Sequence, residues 1–176
     1  MKNRIIGGAY VAAYIGSIVI ANWATSTFGL VPAGFGLLVT AGTYAAAAAL
    51  ILRDGVQVYL GKLAVVASIA AGIALSYLLA DPFIAVASAV AFAASEVVDW
   101  GVFSKVRGRS IALAVLASSI VAAPVDTVLF LWIAGFDLTF EAVAGQVIVK
   151  TAMALIAAAV IAVRARTHTA LPLEQA

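Results

Sequence analysis

The sequence has no cysteine and a single histidine, His168, near its C-terminal end. Disulfides and thiolate metal sites are thereby excluded, and most routes to a histidine-based metal centre go with them. Charge is scarce too: only 10% of the 176 residues are charged, while 65% are hydrophobic. Soluble globular chains carry about 25% charged and roughly 45–50% apolar residues. A water-soluble fold would have too few polar side chains to cover itself. The glycine-rich loop that cradles nucleotide phosphates is missing as well, so no ATP-hydrolysing cassette is expected in these residues. With no buried histidine or cysteine and no nucleophile–base constellation, the chain reads as a non-enzyme: catalytic residues, metals and cofactors are all expected to be none.

What is present is a succession of long apolar runs, with a mean hydropathy of +1.17. Runs of about 20 residues predict membrane helices rather than a barrel, whose strands would alternate polar and apolar positions. The expected fold class is an all-α integral membrane protein, a six-transmembrane-helix bundle forming a single domain over residues 1–176. Its spans are predicted at 5–22, 33–52, 63–80, 82–104, 110–136 and 141–163. The fifth is longer than a bilayer requires and is expected to tilt or bend near Pro124. "MKNR" and the run after it show no small-residue cleavage site, so that run is expected to stay as the first span.

Lys and Arg are distributed one-sidedly. Lys2 and Arg4 precede the first span, Arg53 and Lys62 lie between the second and third, Lys105, Arg107 and Arg109 between the fourth and fifth, and Arg164 and Arg166 after the sixth. The alternate connections, 23–32, Asp81 and 137–139, contain neither. This pattern predicts both termini in the cytoplasm. Connections are short, so any work is expected to happen within the bundle.

Ionisable groups inside a membrane cost roughly 2.5–3.5 kcal/mol each on insertion scales and default to functional candidates. In "ASEVVDWGVFSK", residues 94–105, Glu96 lies roughly 12 Å from the cytoplasmic end of its predicted span, with Asp99 one turn nearer on the same face. Asp126, in "PVDTVLF", and Lys150 lie roughly 15 Å and 14 Å from the outer ends of theirs. Equal depth predicts an Asp126–Lys150 ion pair between adjacent antiparallel helices, either as a bundle staple or as the wall of a polar cavity. Glu96 has no sequence-local partner, whereas Asp99 has Lys105 or Arg107 within reach as an interfacial anchor. Two acids one turn apart need donors, and a ligand with several N–H groups on one edge supplies them. Arg53 and Asp54 read as the start of a solvated cytoplasmic linker or a gate. Asn22 reads as a helix terminator or a binding residue, and Trp100 as an interfacial aromatic or a stacking platform. The tracts "GTYAAAAAL" and "LIAAAVIAV" allow close helix approach and leave room for a homodimer.

Three of these pieces, "SEVVDWGVFSK" (95–105), "VDTVLF" (125–130) and "LRDGVQVYLGK" (52–62), come in the order and spacing of a known family. The chain resembles the putative vitamin uptake transporter (VUT) family, which includes the bacterial queuosine-precursor transporters. The resemblance implies a six-helix inner-membrane importer of a modified purine, 7-cyano-7-deazaguanine or 7-aminomethyl-7-deazaguanine. It also makes Glu96, Asp99, Asp126 and the Arg53–Asp54 pair the polar signature. Trp100 and Pro124 depart from the smaller or polar residues expected at their positions.

The chemistry agrees with that implication. A deazaguanine presents N1–H and an exocyclic amine along one edge, which a carboxylate accepts in bidentate fashion. Glu96 or Asp126 is expected to take that edge, Lys150 or a hydroxyl the polar substituent, and aromatic residues of neighbouring helices the ring faces. The expected partners are this purine-like solute and membrane lipid, with no nucleic acid. Competing readings are a substrate-capturing subunit of an ATP-driven uptake system, an intramembrane enzyme, and a structural or channel-like membrane protein whose charges only hold helices together.

Overall fold

Breaks between the apolar runs fall on residues that stop a helix or start the next. The computed structural model describes residues 2–169, and the side chains of residues 2–3, Asp54 and residues 164–169 lie outside the description. Six α-helices are present among the described residues: α1 (Lys2–Phe28), α2 (Thr43–Leu60), α3 (Lys62–Leu79), α4 (Pro82–Val106), α5 (Ile111–Ile133) and α6 (Phe140–Thr169). A two-stranded hairpin, β1 (Leu30–Gly34) and β2 (Leu37–Thr40), joins α1 to α2. Gly61, at φ 83°, separates α2 from α3 by one residue. Asp81 starts α4, its carboxylate accepting from the N–H groups of Phe83 (2.8 Å) and Ile84 (3.1 Å), with Pro82 in the first helical position. Ser110 and Thr139 cap α5 and α6 in the same way. At the far end of α5, Gly135 takes φ 76° and lets Phe136 N–H return to the Leu131 carbonyl at 2.9 Å.

Five of the helices are long and apolar enough to cross a membrane; α2, interrupted by Arg53 and Asp54, is the more polar exception. The region expected as span 33–52 differs from that expectation. Its first residues belong to the hairpin, where Val31 pairs with Val39 around the turn at Gly34, Phe35 and Gly36, all at positive φ. The two glycines of the turn make that backbone affordable, and the β-branched Val31, Val39 and Thr40 favour strand. The helix starts only at Thr43 and runs to Leu60, so Arg53 lies inside α2 and not in a linker. Asn22 likewise falls within α1, which continues to Phe28, and terminates nothing. Pro124 sits inside a continuous α5, where its missing N–H leaves the Ile120 carbonyl without its helical donor.

Packing is inside-out relative to a soluble protein. Most buried positions are small or polar, among them Ser17, Ser68, Ser76, Ser95, Ser118 and Thr127, while Ile20, Val66, Leu78, Val97, Ile111 and Val163 are exposed. Soluble chains bury the second kind and expose the first. In a bilayer the aliphatic side chains gain nothing by leaving lipid, so small residues take the helix interfaces. The α4–α5 contact is the most extensive in the bundle. Ala87, Ala91 and Ser95 of α4 and Ala114, Ser118 and Ala122 of α5 are buried, each set spaced every four residues. A second cluster, Tyr14, Ala49, Val56 and Val65, ties α1 to α2 and α3. α6 lies against β2 so closely that a Cβ on Gly145 would collide with the Leu38 carbonyl.

Candidate functional site

Short connections force successive helices to run antiparallel, and this places two ion pairs in opposite halves of the bundle. In the first, Arg53 Nη1 of α2 lies 2.7 Å from Glu96 Oε1 of α4, with the two side chains 19% and 30% exposed. Both residues sit in the later half of their helices, toward the end of the bundle where Lys62, Lys105 and Arg107 lie. The donor that Glu96 was expected to take from a ligand is thus supplied by Arg53. Sequence reasoning missed this partner because the hydrophobic window was cut at the charge. A signal was there: Ala49, Leu52 and Val56 keep helical spacing straight through "LRDG".

In the second pair, Lys150 Nζ of α6 lies 2.6 Å from Asp126 Oδ2 and 3.0 Å from Thr127 Oγ1, both on α5. The Lys150 side chain is 8% exposed and that of Asp126 25%. The ion pair that equal depth predicts is therefore present. It is also unsaturated. An ammonium has three protons, and two are used among the described residues. Asp126 Oδ1 accepts no bond from them either.

One turn before Lys150 on α6, and so on its face, Gln146 is 1% exposed and its Nε2 has no hydrogen-bond partner. Sequence reading passed over Gln146, although a Gln four residues before a Lys within an apolar run is a visible signal.

The remaining candidates are placed elsewhere. Asn22 is buried and donates from Nδ2 to Ser76 Oγ at 3.0 Å, joining α1 to α3. Asp99 is half-buried and makes no hydrogen bond or ion pair among the described residues. Trp100 is 68% exposed, on the outside of α4, away from any interior ring-binding position. The Asp54 side chain lies outside the described residues. A cavity of about 350 Å³ opens where α1 ends and α4 begins, lined by Thr25, Ser26, Asp81 and Phe136 among others. It lies at the end whose connections lack Lys and Arg, and its one carboxylate already caps α4.

Apolar helices with a lipid-suited exterior and ion pairs held between them define a multi-pass membrane protein. The sequence model of the putative vitamin uptake transporter family matches residues 8–163, and the chain belongs to that family. No curated protein and no solved structure matches it.

Proposed function

We propose that the protein imports a queuosine precursor, 7-cyano-7-deazaguanine or 7-aminomethyl-7-deazaguanine, across the inner (plasma) membrane. In this reading the chain crosses the membrane six times with both termini in the cytoplasm, and alternating access moves the solute past a central polar site. The observation that carries it is the unsaturated Asp126–Lys150–Thr127 cluster, a buried ionised pair that retains one acceptor oxygen and one donor proton. Asp126 Oδ1 accepts from N1–H or the exocyclic amine of the base, while the third proton of Lys150 meets a ring or substituent acceptor. A pair serving only to staple α5 to α6 would gain from closing these valences. Family membership supports the transport role, and the resemblance of residues 95–105 and 125–130 supports the deazaguanine class.

Arg53 and Glu96 act in this scheme as a latch between α2 and α4 on the cytoplasmic side of the site. Uptake of radiolabelled 7-cyano-7-deazaguanine into liposomes holding the purified protein alone tests the proposal. Saturable uptake that Asp126→Asn removes is expected. Failure to bind any deazaguanine or purine in a panel overturns the solute. Binding without uptake until an ATPase is supplied makes the chain a capture subunit instead.

A further inference from the structure

Gln146 is the polar side chain that the Asp126–Lys150 pair leaves unexplained. Its carboxamide is buried, its Nε2 has no acceptor, and it lies one turn from Lys150 on the same face of α6. Its position is fixed by the fold: the preceding residue, Gly145, seats α6 on the backbone of β2. Buried amide donors are paired in nearly all proteins, by protein, water or ligand. This one has no partner among the described residues.

We propose that Gln146 is a specificity residue of the solute site, donating its Nε2–H to the ring carbonyl oxygen of the bound base. The inference rests on the importer reading above and adds the selection among bases. A lactam edge offers two donors beside one acceptor. Asp126 Oδ1 is the uncommitted acceptor for the donors, and the Gln146 amide is the uncommitted donor for the carbonyl oxygen. An aminopurine with no ring carbonyl places an N–H or a C–H there and leaves the amide unpaired. Sites built to bond a polar group reject analogues that lack it far better than apolar pockets sort by size.

The test is calorimetric titration of the full-length protein in nanodiscs with 7-cyano-7-deazaguanine and with its 6-deoxo analogue, for wild type and Gln146→Leu. Wild type is expected to bind the carbonyl-bearing base at least about tenfold tighter, the size of one hydrogen bond. Gln146→Leu is expected to shrink that preference by about tenfold, leaving the part due to the N1–H that the 6-deoxo base also lacks, while its Tm stays level or rises because a buried unpaired amide is gone. Equal affinity of wild type for the two bases overturns the role of Gln146, whether or not the variant folds. So does a preference that is undiminished in Gln146→Leu, and both outcomes leave the importer reading standing. Failure of wild type to bind either base overturns that reading, and the assignment of Gln146 falls with it.

Discussion

Arg53 and Glu96 meet at 2.7 Å across α2 and α4, although 43 residues separate them and neither helix neighbours the other in sequence. The pair neutralises Glu96 and gives α2, the helix that lacks a span-length apolar run, a reason to stay in the bundle. It also ties together two helices whose packing is otherwise minor beside α4 on α5. An ion pair across a weak helix interface is what a gate requires: strong enough to hold, with little apolar contact to undo.

Removing one partner should therefore cost more than removing both. Arg53→Gln or Glu96→Gln leaves a charge facing a low-dielectric interior, and partial exposure brings the loss down to about 1–3 kcal/mol from the 3–5 of a fully buried pair. The Arg53→Gln/Glu96→Gln double variant should recover part of that. Thermal unfolding of the four proteins in one detergent gives the coupling directly. Additive losses would remove the latch.

The class of fold was legible because bilayer thickness and hydropathy leave few alternatives, and the ends of α3 and α4 were marked by Asp81 and Pro82. The start of α2 was not legible from hydropathy, since residues 30–40 are as apolar as a span. Only the Gly34–Phe35–Gly36 turn and the β-branched Val31, Val39 and Thr40 distinguish a hairpin there. The Asp126–Lys150 pair was readable because its helices are consecutive and the chain fixes their antiparallel register. Arg53–Glu96 was not, because pairing across non-consecutive helices is set by tertiary packing that no local spacing encodes. Trp100 shows the same boundary, since helical phase alone did not decide whether its ring faced lipid or the interior.

For Asp126 and Lys150, stability and transport should separate. Asp126→Asn or Lys150→Met alone strands a partner, at about 3–5 kcal/mol for a buried pair. Asp126→Asn/Lys150→Met removes both charges and should unfold close to wild type, yet uptake should stay at background. Recovery of uptake in this double variant would show that the pair only fastens α5 to α6.

Trp100 offers a negative control. With 68% of its surface exposed on the outside of α4, it suits an interfacial aromatic better than a stacking platform. Trp100→Ala should change uptake by less than about twofold, since exposed substitutions rarely reach far. Brominated lipids should quench its fluorescence, measured in a variant with Trp23 and Trp132 replaced by Phe. A tenfold fall in uptake would place its ring at the solute.

Gly145 and Gly101 should respond oppositely to the same methyl group. On Gly145 it collides with the Leu38 backbone carbonyl, which has no rotamer through which to yield. α6 must then move off β2, at a cost of about 1–3 kcal/mol for overpacking, and with it go Gln146 and Lys150. Gly145→Ala should thus lower both Tm and uptake. On Gly101, inside α4, the same methyl meets nothing within 4 Å. Gly101→Ala should raise stability by about 0.5–1 kcal/mol through reduced backbone entropy of the unfolded chain, and leave uptake alone. Unfolding midpoints paired with initial uptake rates decide the matter: if Gly145→Ala transports normally, the seating of α6 on the hairpin does not position the site.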